Sequence, residues 1–260
     1  MRIALVQPKL KIGDVDYNFK IIENYITKIK SSGADTIVLP EMWNTSFFPN
    51  NVYELADNMG ERTVNFLSDL ASSSHINIIG GSVAIKEGDK LLNRSYIFGR
   101  DGKLLSKYDK VHLFSPSEED KIFSRGDKLS TFEIDGIKCG ICICYDLRFS
   151  EWIRMNVLTG IDILFLPAAW PDKRINHWEI LNRARAIENQ IFVVSTNSVG
   201  ETSSMKFGGH SMIVDPWGEY IINAKCEVGV FIGEIKLDII KEIRESINVF
   251  KDRREDIYKL

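Results

Sequence analysis

Apolar runs of strand length alternate with stretches of helical period from one end of this chain to the other. Arg2–Gln7 reads as a strand, and residues 17–32 place Phe19, Ile22, Ile26 and Ile29 on one helical face before Gly33 stops them. A buried strand at 36–39 follows, then a helix over 62–74 through Val64, Phe66, Leu67 and Leu70. Residues 76–84 and 91–98 read as the two arms of a hairpin around a turn at 86–90. Asp101-Gly102 leads into a strand at 104–108, and Asp135-Gly136 joins strands at 130–134 and 137–144. The second half repeats this logic, with a helix at 152–159, a strand at 163–166, a helix at 176–189 and a strand at 192–196. Strands at 211–214 and 220–223 flank Asp215-Pro216-Trp217-Gly218, and a strand at 228–234 precedes a last helix at 237–247. Helical crossovers and tight turns both join strands, so the predicted sheet is mixed and needs helices to cover it, an α/β layered fold. No linker or repeat breaks the pattern, and one domain over 1–260 is expected.

Composition narrows the possible partners. At 260 residues with 44% hydrophobic positions, the chain is long enough to bury a core without staples. The net charge of −3 gives no global attraction to nucleic acid or anionic lipid, and neither is expected as a partner. No apolar stretch has the length of a membrane span, and the N-terminus is too strand-like for a signal peptide. Of the four cysteines, Cys139, Cys142 and Cys144 crowd one strand, where bridging is awkward. A reducing, cytoplasmic setting is therefore expected. Cys139 and Cys142 fall on opposite faces of that strand and no histidine lies nearby, so no metal is expected.

The strand at 137–144 ends on Cys144 and gives way to polar Tyr145-Asp146-Leu147-Arg148. A thiol at a strand end sits on rigid backbone and points above the sheet, which suits a nucleophile; a free cysteine is otherwise a small buried hydrophobe. Glu41 ends the strand at 36–39 and reads either as a base or as a helix cap. Lys110 follows the strand at 104–108 and reads either as a fixed charge or as one of many surface lysines. Glu119 sits in an acidic loop whose plain reading is solvation. Asp146 and Arg148 are spaced for an ion pair that braces the turn. Arg174 and His177 follow the strand at 163–166, on the face where the other strands end and where open α/β sheets bind ligands, and are candidate carboxylate partners. Phe47, Phe48 and Trp170 read equally as pocket wall or as core.

Read together, these words resemble a known family. Leu39-Pro40-Glu41, Tyr108–Phe114 with its lysine at 110, and Cys144-Tyr145-Asp146-Leu147-Arg148-Phe149 are similar, in that order, to the base, lysine and nucleophile motifs of the nitrilase (carbon–nitrogen hydrolase) superfamily. Ala169-Trp170-Pro171, the stretch at 184–190, and Gly208-Gly209-His210-Ser211 extend the resemblance over nearly the whole chain, and the tail at 248–258 resembles the branch containing the omega-amidases. The resemblance implies an α-β-β-α sandwich and a homodimer, with the tail at about 248–260 crossing to the partner. It implies hydrolysis of a small carboxamide without cofactor, by Cys144, Glu41 and Lys110 through a thioester. Glu119 is the better match for the family's second glutamate, with Glu118 left as the alternative. Tyr145 is expected to offer a backbone N–H to the oxyanion, with Trp170, Arg174 and His177 against the substrate. For the omega-amidase branch the substrate is 2-oxoglutaramate or 2-oxosuccinamate; an N-carbamoyl amine or amino acid is the alternative. True nitrilases typically carry Cys-Trp-Glu where this chain has Cys144-Tyr145-Asp146.

Overall fold

The computed structural model describes residues 1–47, 49–202 and 205–258. Two mixed sheets stack face to face with helices outside. The first runs, in spatial order, Gly229–Glu234, Arg2–Gln7, Thr36–Val38, Asn77–Ile79, Lys90–Phe98, Val83–Glu87 and Asp57–Asn58, and Leu104–Asp109 also pairs with Lys90–Phe98. The second runs Tyr220–Asn223, Met212–Val214, Phe192–Asn197, Ile163–Ala168, Ile137–Ile141 and Thr131–Ile134.

The period of two along each strand sorts side chains between two layers. In Arg2–Gln7, Ile3 and Leu5 enter the core between the sheets, joining Val38, Ile97, Ile141 and Phe165. Ala4 and Val6 face the other way, against Phe19, Ile22 and Ile26 of the Val15–Ile29 helix and Leu67 of the Glu61–Ser74 helix. Asp14 caps the first of these helices, accepting from the Tyr17 N–H at 3.1 Å. The intersheet core continues into Ile153, Val157, Trp178 and Ala186 of the helices Ser150–Leu158 and Ile175–Asn189, which cover the second sheet. Each fully buried aliphatic side chain adds roughly 1.5–3 kcal/mol, so the stacked sheets form a stiff base for the loops at their ends.

Two expected strands are shorter than their apolar runs, and both breaks serve those loops. The run at 76–84 divides into Asn77–Ile79 and Val83–Glu87, and both parts pair with Lys90–Phe98. Gly81 makes the break with φ +61°, in a place where a Cβ would lie 2.1 Å from the Pro40 carbonyl oxygen. Ser82 then donates from its N–H to Pro40 O at 3.1 Å, and its Oγ accepts from the Met42 N–H at 3.1 Å, so this kink clasps the chain on both sides of Glu41. The run at 137–144 leaves the sheet after Ile141, and Cys144–Arg148 forms a 3₁₀ turn.

Candidate active site

The ends of both sheets deliver charged side chains into one enclosed space. Lys110 lies just past Leu104–Asp109; its N–H donates to Asn93 O and its carbonyl accepts from Gly126 N, both at 2.9 Å. Its Nζ donates to Glu41 Oε1 at 2.8 Å and to Glu119 Oε2 and Oε1 at 2.8 and 3.1 Å. All three side chains are shut off from solvent. Glu41 Oε2 accepts from the Ala169 N–H at 2.8 Å, which ties the end of one sheet to the end of the other. Glu119 Oε2 accepts from the Phe114 N–H at 2.7 Å, while Glu118, turned out by φ +61°, pairs with Lys121 in solvent. Asn93 closes the cluster, its Nδ2 donating to Glu41 Oε1 at 2.9 Å and to Glu119 Oε1 at 3.1 Å.

Charge states follow from these neighbours. Burial pulls the Lys110 ammonium towards neutrality, but the charges of Glu119 and Glu41 outweigh it and hold the side chain cationic. Burial pushes the Glu119 carboxyl upward, against the pull of Lys110. Burial, and then the negative charge of Glu41, push the Cys144 thiol well above the ordinary cysteine range despite Lys110. Burial and Glu41 together therefore favour the protonated thiol at rest.

Cys144 takes φ +46°, a left-handed conformation that costs a non-glycine residue roughly 1–2 kcal/mol. Asp146 holds this turn. Its Oδ2 accepts from Ile143 N–H at 2.9 Å and Tyr108 OH at 2.7 Å, and its Oδ1 accepts from His112 N–H at 2.9 Å and meets His112 Nδ1 at 2.7 Å. Tyr108 and His112 flank Lys110 on the chain, so this network locks the turn that carries Cys144 to the lysine's segment. The expected Asp146–Arg148 ion pair does not form. Asp146 is already saturated from the other side, and Arg148 turns away to lie 4.8 Å from the Trp170 ring centre.

Above the thiol lies a cleft walled by Phe47, Phe114, Tyr145, Trp170 and Met205 among others. Arg148 and Arg174 both line it. The Arg174 guanidinium sits 5.1 Å from the Phe114 ring centre, and its carbonyl accepts from Trp170 Nε1 at 2.8 Å. Among the described residues, neither arginine has a carboxylate within ion-pair distance. Burial, together with the nearby charge of Arg174, makes the Arg148 cation easier to neutralise than usual.

Of the residues singled out from sequence, Glu41, Lys110, Glu119 and Cys144 come together, and Tyr145, Trp170 and Arg174 line the cleft. His177 stands behind the wall: it is exposed, with Nδ1 3.3 Å from Arg148 Nη2. Phe47 is wall, and Phe48 lies outside the described residues. Arg148 and Asn93 were not foreseen here. For Asn93 a signal existed, an amide in the apolar run Leu91-Leu92-Asn93. For Arg148 the sequence spacing points to Asp146, whereas the structure sets the side chain against Trp170.

Known proteins resemble this chain over nearly its whole length. A family model described as carbon–nitrogen hydrolase matches residues 2–245. A Bacillus subtilis (strain 168) protein named 2-oxoglutaramate amidase is 40% identical over 256 residues, 98% of each chain. A human protein named omega-amidase NIT2 is 34% identical over 266 residues, 99% of this chain and 96% of that one. The crystal structure of a CN-hydrolase superfamily protein from Xanthomonas campestris, with an arsenic adduct in its active site, superposes with TM-score 0.93 at 27% identity, over 100% of this chain and 98% of the other. Nit3 of Saccharomyces cerevisiae, a member of branch 10 of the nitrilase superfamily, gives 0.90 at 30%, over 98% and 96%. With the family match spanning nearly the whole chain, and relatives above 30% identity aligned end to end, this chain belongs to the carbon–nitrogen hydrolase family.

Proposed function

We propose that the protein is an omega-amidase, hydrolysing the terminal amide of 2-oxoglutaramate or 2-oxosuccinamate to acid and ammonia. One observation carries the chemistry: the Lys110 ammonium is buried between the carboxylates of Glu41 and Glu119 in the enclosed space beside the Cys144 thiol. Cys144 adds to the amide carbonyl as Glu41 takes the thiol proton. Lys110 has three N–H donors. One serves Glu41 and one is shared by the oxygens of Glu119, leaving the third, with the Tyr145 N–H, for the tetrahedral oxyanion. Glu41 passes its proton to the departing nitrogen, and ammonia leaves a thioester. Glu41 then draws a proton from water, the hydroxide attacks the thioester, and the acid is released as the thiol is restored. Glu119 holds Lys110 in place. Nothing in this sequence of steps calls for a metal or organic cofactor.

The substrate class follows from the cleft and from the names of the relatives. Two guanidinium groups with no carboxylate partner among the described residues suit the distal carboxylate of a short oxo-acid amide. They would equally suit an N-carbamoyl amino acid, which is the second reading. His177 backs Arg148 and does not itself meet the substrate. The test is ammonia release from 2-oxoglutaramate. Wild type should release it and form an acyl adduct on Cys144 visible by intact mass, whereas release by Cys144→Ala would sink the mechanism.

The same reading makes the chain one hydrolase domain, working as a homodimer in the cytoplasm. Met155, Leu158, Ile180 and Ile187 leave exposed apolar surface on the two outer helices of the second sheet, and Ile257 and Tyr258 add more on the tail. All four cysteines are free, as a reducing compartment requires. Light scattering on the purified protein would reveal a monomer if the dimer is wrong.

A further inference from the structure

Asn93 occupies a place where an apolar side chain would be expected. It sits on the central strand Lys90–Phe98 beside buried Leu91 and Leu92, opposite Ala84 on the neighbouring strand. Its Oδ1 is buried and has no hydrogen-bond partner among the described residues. A buried acceptor left in that state is costly, so the amide is retained for what its nitrogen does. That nitrogen donates to Glu41 Oε1 and to Glu119 Oε1, two of the three oxygens that Lys110 Nζ contacts. The carboxylates also fix the amide's orientation, since a flipped amide would aim its oxygen at both of them. Through its backbone carbonyl, Asn93 accepts from the Lys110 N–H as well. One residue thus touches three members of the cluster.

We propose that Asn93 is a positioning residue of the reaction, whose amide bridges Glu41 and Glu119 and holds Glu41 in place as the base for Cys144. This rests on the roles of Glu41 and Cys144 proposed above. The charge count explains why an amide is used. Two carboxylates face one ammonium, so the enclosed cluster carries an excess negative charge when both are ionised. An amide NH₂ has two diverging protons and offers one to each carboxylate without adding charge. A second cation there would quench the base, and a third carboxylate would add to the repulsion. The charged and titratable groups facing Asn93 are Glu41, Glu119, Lys110 and, beyond Glu41, Cys144. Arg94, next on the strand, points to the opposite face and is held by Asp109 and Glu87. Without the amide, each carboxylate loses a donor to its charged form and binds a proton more readily. A protonated Glu41 takes no proton from the thiol, so the acid limb of thiol reactivity moves to higher pH.

Alkylation of Cys144 by iodoacetamide reads this without any assumption about substrate. Its rate should be followed by peptide mass across pH in wild type, Asn93→Leu and Glu41→Gln, with the melting temperature of each. The expected result for Asn93→Leu is an acid limb shifted up by about one pH unit, hence about tenfold slower alkylation along that limb. If the leucine variant does not fold, Asn93→Ser keeps one donor for one carboxylate and should shift the limb by a smaller amount in the same direction. A profile superimposable on wild type, whatever the loss in melting temperature, would leave Asn93 a structural residue and overturn the proposal while Glu41→Gln still differs. An unchanged profile in Glu41→Gln would remove the base itself, and this proposal with it.

Discussion

The site has an inner and an outer region, and they are built on opposite rules. Inside, Glu41, Lys110, Glu119 and Asn93 are each at most 1% exposed and held by several mutual hydrogen bonds. Lys110 and the Asn93 amide both donate to Glu41 and Glu119 at fixed distances, as preorganised charge stabilisation requires. Outside, Arg148 and Arg174 lie over aromatic rings with no carboxylate among the described residues to pair them. Cations resting on ring faces are held loosely and stay available to an anion. The inner region is complete before a substrate arrives, and the outer one is completed by it. Reaction chemistry and substrate choice are therefore separable, and mutations should divide along the same line.

Replacing Cys144, the proposed nucleophile, should have the largest effect. Cys144→Ala should lose about 10⁴-fold or more in kcat, the scale for removing a catalytic nucleophile. It should stay folded, because the turn is held by Asp146 and not by the sulfur. Steady-state ammonia release together with circular dichroism checks both halves of this statement.

Lys110→Ala comes next and strikes both rate and stability. Loss of an oxyanion donor costs about 10²–10³-fold in kcat. The variant also leaves two buried carboxylates without their cation, and breaking a buried pair of this kind costs roughly 3–5 kcal/mol. Glu41→Gln should slow the reaction at least as much, since an amide shuttles no proton in either half-reaction. Equal denaturation midpoints for wild type and Lys110→Ala would refute the buried-pair account.

This division also explains what could be read in the chain. Strand ends alone left Glu41, Lys110 and Cys144 open to plain readings; it is the resemblance of the short words around them to the family's motifs that singles them out, and the structure brings the three side chains together. Glu119 was legible up to a choice of two neighbours, which the left-handed turn at Glu118 resolves by sending that side chain to solvent. Arg148 was misjudged because sequence spacing suggests a pair with Asp146, whereas Asp146 is saturated by Tyr108, His112 and Ile143 from elements distant in sequence or behind it. The break at Gly81 was hidden because the apolar run continues through it; its cause is the close approach of the Pro40 carbonyl, a tertiary contact. His177 sits on the right helix but points behind the wall, an orientation that helical spacing alone does not fix.

The thiol's resting state sharpens the picture of the inner region. Burial and the charge of Glu41 disfavour the thiolate, and Lys110 offsets them only in part. Thiolate ultraviolet absorbance should thus be missing at neutral pH and rise only above the ordinary cysteine pKa of about 8.5. Lys110→Ala, having lost the one favourable charge, should titrate higher still. A thiolate present at neutral pH would mean that Glu41 is not needed to start the reaction.

The outer region should respond most mildly, and in KM. Arg174→Lys keeps the charge but loses the forked donor pair, so KM for 2-oxoglutaramate should rise by about tenfold with kcat nearly unchanged.

The separation of chemistry from choice is tested most directly by one comparison. It is kcat/KM for 2-oxoglutaramate, a neutral amide of the same length and N-carbamoylputrescine, measured in wild type and in Arg174→Lys. Wild type should favour 2-oxoglutaramate by about tenfold or more, the value of one good charged contact. In Arg174→Lys that gap should close while the neutral amide is turned over as before. A wild-type preference for the carbamoyl amine, or a gap that survives the loss of Arg174, would contradict the account.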